Sequence, residues 1–191
     1  MDIRKLFSLE GRVALVTGAT HGLGMAVATA LAGAGATLAV NGHSADRLDK
    51  ALKTYENKGI DAKGYLFDVT DEQAVAEGVA RIEREAGPID ILVNNAGIIK
   101  RIPALEMTLP EWNEVIATDL TSPFLMSRAV AAGMIRRGHG KIVNMCSMMS
   151  EVGRSSVTAY AAAKGGLKML TKNLATEWAK HNIQVNGIAP G

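Results

Sequence analysis

The sequence predicts an α/β fold, a doubly wound parallel sheet with helices on both faces. Short apolar runs recur along the chain and end in Gly, Asp or Asn, with stretches of helical length between them. The first run, Arg12-Val13-Ala14-Leu15-Val16-Thr17, is nearly continuous in apolar character, the mark of a strand buried on both faces. Ala and Gly are abundant while aromatics make up only 4%, which suits helices packed closely on a sheet.

Taken in order, strand one covers 12–17 and stops at Gly18. A helix follows over 22–34, closed by Gly35. Strand two, 37–41, precedes a helix that includes 45–57. Strand three, 63–67, runs into Asp68, and Asp71 caps a helix that reaches about Glu85. Strand four, 89–93, ends in Asn94-Asn95-Ala96-Gly97. Two helices are expected within 110–137, then strand five over 141–146, a long helix over 158–180 and strand six over 183–189. Ligands of such sheets bind beyond the carboxyl ends of the strands. Gly18, Asp68, Asn95 and Ser147 each follow a strand, so they are expected to meet at one edge.

A chain of 191 residues with 48% hydrophobic and 21% charged residues is expected to form one domain with a sizeable core. A net charge of +2, with no basic stripe, points away from nucleic acid and anionic membrane as partners. One cysteine, Cys146, excludes an internal disulfide and fits a reducing, cytoplasmic setting. No apolar run approaches the roughly 20 residues that span a bilayer.

Four motifs carry chemistry. Gly18-Ala19-Thr20-His21-Gly22-Leu23-Gly24 follows a strand and opens a helix. Gly18 permits a tight turn, Gly22 lets a pyrophosphate approach the backbone, and Gly24 permits close helix packing. The helix N-terminus adds free N–H groups and a positive dipole end. In Asn94-Asn95-Ala96-Gly97, asparagine side chains hold neighbouring backbone and small residues leave room for a ribose. Tyr160 and Lys164 stand four apart in an alanine-rich helix, on one face. An ammonium beside a phenol favours the phenolate and suits it to proton transfer. Ser147 precedes the tyrosine by thirteen residues. No His/Cys/carboxylate cluster suggests a metal.

In this order and spacing, TGxxxGxG, NNAG, Ser and YxxxK resemble the short-chain dehydrogenase/reductase family over essentially the whole chain, from about Leu9 to Gly191. The resemblance implies a Rossmann-type domain that moves a hydride between a nicotinamide cofactor and an alcohol or ketone. It makes Tyr160 the general acid/base and Lys164 a contact to the nicotinamide ribose. Ser147 would orient the substrate oxygen. Asp68 and Val69 would meet the adenine, and Asn95, Ala96 and Gly97 line the cofactor. Leu23 belongs to the glycine loop, and Pro190 and Gly191 would lie near the nicotinamide. The family commonly carries Asn where this chain has Asp119, at a position serving a water relay behind the lysine. Asp119 is therefore either a relay carboxylate, counted with the catalytic set, or a surface helix residue. An ionised carboxylate only accepts hydrogen bonds, and its charge opposes ionisation of a nearby phenol.

NAD-specific relatives carry an acid after strand two; here Asn41-Gly42-His43-Ser44 has none. His21 and His43 fall where NADP-using relatives place basic residues, so NADP is expected, with NAD possible. Within the family the residues around Asn95, Ser147 and Tyr160 resemble the gluconate 5-dehydrogenase group, which implies D-gluconate and 5-keto-D-gluconate as substrates. A neighbouring group acting on 2-dehydro-3-deoxy-D-gluconate is the alternative, and a non-catalytic nucleotide-binding module is the alternative of a different class. Arg101 and Arg154 flank the motifs and offer guanidinium groups for a substrate carboxylate. Met148, Met149, Trp112 and Trp178 read as packing residues, and Cys146 as facing the sheet. The resemblance also implies dimers or tetramers built on the two long helices. Relatives continue past the position of Gly191 with a substrate-covering segment, so 1–191 is expected to be one dinucleotide-binding domain truncated after strand six.

Overall fold

The computed structural model describes residues 6–191. Six strands form one parallel sheet in the order β3-β2-β1-β4-β5-β6. They are β1 Val13–Val16, β2 Thr37–Gly42, β3 Ala62–Leu66, β4 Ile89–Asn94, β5 Gly140–Met145 and β6 Ile183–Ile188. The helices between them are α1 Gly22–Gly33, α2 Ala45–Asn57, α3 Glu72–Glu85, α4 Leu109–Ile116, α5 Ser122–Arg137 and α6 Thr158–Trp178. Strand order reverses between β1 and β4, which opens a crevice at their carboxyl ends.

The period-2 alternation of strands sends side chains to two cores. Val13 and Leu15 join Leu92, Met126, Met134, Ile142, Trp178 and Ile183 on one face. Ala14 and Val16 join Ala28, Leu38, Val40, Leu48 and Tyr55 on the other. Asp90 interrupts the β1–β4 register, which jumps from Val13/Ile89 to Ala14/Ile91. Its buried carboxylate accepts from the Val13 N–H at 3.0 Å and pairs with His139 Nε2 at 2.9 Å and Arg12 at 3.3 Å. This cluster closes the end of the sheet opposite the crevice, joining the starts of β1, β4 and β5.

The expected elements are present, with bounds moved by a residue or two. Two differences are larger. The span of two helices is one continuous helical rod, because α4 and α5 are joined by a π-helical turn, Ala117–Thr121, and not by a loop. The long helix stops at Trp178 and continues as a 3₁₀ turn over Ala179–His181, closed by Asn182 in the left-handed region. Asp71 caps α3, accepting from the Ala74 N–H. Thr108 and Glu111 cap α4 reciprocally, in a Thr-x-x-Glu capping box. Trp178 packs in the larger core and Trp112 against Val115, Ala159 and Ala163. Met148 is 42% exposed, so it is not the core filler expected. Its backbone N–H donates to the Pro190 carbonyl.

Candidate active site

The crevice holds two adjoining cavities. The larger, about 500 Å³, is lined by Gly18, His21, Gly22, Leu23, Gly24, His43, Asp68, Val69, Asn95, Ala96 and Gly97, among others. The smaller, about 210 Å³, is lined by Ser147, Tyr160, Lys164, Asp119 and Pro190, and shares Leu23, Asn95, Gly97 and Ile98 with the first.

The glycine loop is shaped by its own backbone and by its neighbours. Gly18 and Gly22 have φ of +60° and +56°, a region that only glycine enters without strain. A Cβ at Gly18 would stand 2.8 Å from the Ala96 Cα, whereas one at Gly22 would meet nothing within 4 Å. Gly22 therefore leaves its backbone open to the cavity, at an α1 N-terminus with no side-chain cap and no acidic residue in its first turn. That is the cradle a pyrophosphate requires. Gly24 packs against the Gly18 carbonyl and the Asn95 side chain.

Two further residues hold this loop. Thr17 Oγ accepts from the Asn95 and Ala96 N–H groups at 3.0 and 3.1 Å, and Asn95 Nδ2 donates back to the Thr17 and Gly18 carbonyls. Tyr55, buried on α2, donates to the Ala19 carbonyl at 2.8 Å, and burial pushes its phenol up to about 12. Thr17 opens the TGxxxGxG motif, whereas Tyr55 carries no motif signal and lies 36 residues from its partner. Asp68 is tied into a local turn by Thr70 N–H and Oγ at 2.8 and 2.7 Å. His21 and His43 are exposed on the rim, and Thr20 Oγ lies 3.0 Å from His21 Nδ1. Asn41 does not face the cofactor rim with its amide. Its Nδ2 donates to the Tyr65 and Phe67 carbonyls inside the sheet.

In the smaller cavity, Lys164 is almost fully buried and its ammonium lies 5.5 Å from the Tyr160 ring centroid. It donates to the Met145 carbonyl at 2.8 Å and pairs with Asp119 Oδ2 at 3.1 Å. An ammonium has three donors and the Met145 carbonyl takes one, so donor capacity is left for a ligand. Ser147 Oγ accepts from the Met149 N–H at 3.1 Å, which leaves its own hydrogen for an oxygen in the cavity. Ser150 Oγ donates to the Lys164 carbonyl at 3.0 Å, tying the Ser147 turn to α6. Cys146 is buried beside Thr171 and Gly187, and burial pushes its thiol up. Buried Asn94 and Asn144 join at 2.8 Å beneath the site and reach Ser127 and Thr171.

Asp119 is completely buried, so the surface alternative is excluded. The π turn carries it inward. Its Oδ1 accepts from the Ile98 N–H at 2.7 Å. The Lys164 contact to Oδ2 is an ion pair without directed hydrogen-bond geometry, so among the described residues Oδ2 keeps unfilled acceptor capacity. Burial raises the carboxyl above its ordinary range, and Lys164 and the Ile98 N–H offset only part of that. Relative to the unfolded chain, folding therefore favours the protonated form at acid pH, while above the raised value the carboxylate is the anion that faces Lys164. That stability is complete below the ordinary carboxylate range and is lost as pH rises through the raised value.

Arg101 and Arg154 are exposed and line neither cavity. The loops bearing them meet through the Ile102 N–H and Ser156 carbonyl at 2.8 Å, so both guanidinium groups stem from one seam beside the site. Gly191 adjoins Met148 and lines neither cavity. Among the described residues, no group of three or more His, Cys, Asp or Glu side chains is placed to hold a metal, and no helix is long and apolar enough to cross a membrane.

The family model for short chain dehydrogenases matches residues 12–191. The chain belongs to this family. Among its short chain dehydrogenase relatives, the 2-dehydro-3-deoxy-D-gluconate 5-dehydrogenase of Formosa agariphila is 61% identical over 97% of this chain and 71% of that protein. The gluconate 5-dehydrogenase of Gluconobacter oxydans is 50% identical over 97% of this chain and 73% of that one. A crystal structure of a gluconate 5-dehydrogenase from Burkholderia cenocepacia, in complex with NADP and tartrate, superimposes with a TM-score of 0.92. It is 40% identical and is matched over 97% of this chain and 72% of that one.

Proposed function

We propose that this protein is an NADP-dependent oxidoreductase of sugar acids, acting at the C5 hydroxyl or ketone of D-gluconate and 5-keto-D-gluconate. The observation that carries the reading is the gathering of Ser147, Tyr160 and Lys164 around one cavity that opens onto the glycine-loop cavity. The glycine loop, Asn95 to Gly97, Asp68 and Val69 would hold the dinucleotide, with Pro190 and Gly191 at its nicotinamide end. NADP supplies the hydride chemistry at its nicotinamide ring when bound. In oxidation, Tyr160 as phenolate takes the hydroxyl proton while the carbinol hydrogen departs with its electron pair, leaving a ketone. In reduction, Tyr160 returns the proton to the developing alkoxide, and Ser147 donates a hydrogen bond to the same oxygen. Lys164 favours the phenolate by its charge and offers its free donor to the nicotinamide ribose.

The relative at 61% identity is named for 2-dehydro-3-deoxy-D-gluconate, and this favours the 3-deoxy keto acid as a second substrate reading. Both share a carboxylate and chemistry at C5. A panel of sugar acids and keto acids with NADP(H) and NAD(H) tests the reading; no turnover with any sugar acid would overturn it. Arg101→Ala and Arg154→Ala are each expected to raise KM for the acid about tenfold, as one charge-assisted contact is worth, with kcat little changed. Unchanged KM in both would remove the arginines from substrate binding.

His21 and His43 are proposed to read the 2′-phosphate. His21→Ala and His43→Ala are each expected to raise the Kd for NADP while the Kd for NAD stays flat. Equal affinity of the wild type for the two cofactors would overturn this. Residues 1–191 are proposed to act as one dinucleotide-binding unit in the cytoplasm. Assembly as a homodimer or homotetramer through α4–α5 and α6 belongs to the same proposal, and exposed Phe124 and Met169 supply apolar surface there.

A further inference from the structure

We propose that Asp119 is the positioning residue of Lys164, holding its ammonium by direct ion pairing and balancing its charge inside the site, where a neutral amide with a water relay would do neither. The inference rests on the reading of Ser147, Tyr160 and Lys164 as the reacting set. Asp119 sits on the π turn, the one segment of the 109–137 rod with i→i+5 bonding, and such turns re-aim a side chain at functional sites. One oxygen holds the loop after Asn95 through the Ile98 N–H, and the other faces Lys164. A Cβ at Gly97 would stand 2.9 Å from Oδ2, so the glycine of that loop is what gives the carboxylate room. A single buried carboxylate thus joins the cofactor-side loop to the helix bearing Tyr160 and Lys164.

The titratable and charged groups sharing the cavity with Asp119 are Lys164 and Tyr160 from α6 and Cys146 beyond β5. Glu114, one turn earlier on α4, is paired with Lys100 at the surface. Lys164 is therefore the cation whose charge Asp119 cancels. Removing that negative charge leaves the ammonium unbalanced, which favours the anionic form of the phenol beside it.

The test is the pH dependence of kcat/KM for sugar-acid oxidation in the wild type, Asp119→Asn and Asp119→Ala, with Tyr160→Phe in parallel. In Asp119→Asn and Asp119→Ala the ascending acid limb is expected at lower pH by roughly one unit. Asp119→Ala additionally raises KM for the cofactor, because Lys164 and the Ile98 loop both lose their anchor. A profile for Asp119→Asn that superposes on the wild type, whatever its absolute rate, overturns the proposal. Turnover that survives in Tyr160→Phe overturns the underlying reading instead. Should neither Asp119 variant fold, carboxyl ¹³C shifts of the wild type and Lys164→Met across pH decide. The Asp119 titration is expected at higher pH without the cation, and identical titrations overturn the proposal.

Discussion

Tyr160→Phe is expected to lower kcat for sugar-acid oxidation by about 10²–10⁴-fold, the range that a positioned general base contributes. The substitution removes one oxygen and nothing else of the half-buried ring, which packs against Val115, Ala159 and Ala163. Stability should change by no more than about 1 kcal/mol, and affinity for NADP by no more than about tenfold, one hydrogen bond's worth. Steady-state kinetics and a fluorescence titration of NADP separate these quantities. A loss of turnover accompanied by an equal loss of cofactor affinity would mean that the hydroxyl serves binding and not proton transfer. Retained turnover would remove Tyr160 from the proton transfer, and no turnover in the wild type would leave the protein as a nucleotide-binding module.

Gly18→Ala should be strongly damaging, because backbone strain and overlap act at one position. Its φ of +60° costs an L-residue about 1–2 kcal/mol, and the added Cβ lands 2.8 Å from backbone at Ala96, which no rotamer change relieves. The strain and overlap together should destabilise by about 2–4 kcal/mol. Because the atom it meets belongs to the loop that lines both cavities, NADP affinity should fall by at least about 10²-fold. Gly33→Ala is the control. It lies in α1 with open space around it and should gain up to about 1 kcal/mol in helix propensity. Urea denaturation of both variants, with NADP titration, checks the pair. Near-equal stability of Gly18→Ala and wild type would sink the argument.

Much of the site was readable because its chemistry is local. A glycine that must take positive φ, a tyrosine and lysine one helical turn apart, and a serine after a strand all announce themselves within a few residues. Parallel pairing then brings them together, since residues that follow neighbouring strands share an edge. What could not be read depends on contacts distant along the chain. Tyr55 reaches the Ala19 carbonyl across 36 residues, and Thr17 orders a loop 78 and 79 residues away. Asp90 looks like any strand-four residue until its register skip turns its carboxylate toward the Val13 N–H. Asp119 carried two readings, and only the inward turn of the π segment, with burial against Lys164, chose between them. Arg101 and Arg154 flank the motifs in sequence, but their backbones meet at a seam while their side chains lie in solvent.

The sequence by itself determined the doubly wound class, the strand-end convergence of the motifs and the glycine loop, because strand burial, helix period and positive φ are set by neighbours along the chain. Tertiary structure alone decided which side chains hold those motifs in place and where charge is balanced. Burial and ion pairing are properties of the space around a residue, and for Asp119 and Lys164 that space is built by a loop, a π turn and a helix far apart in the chain.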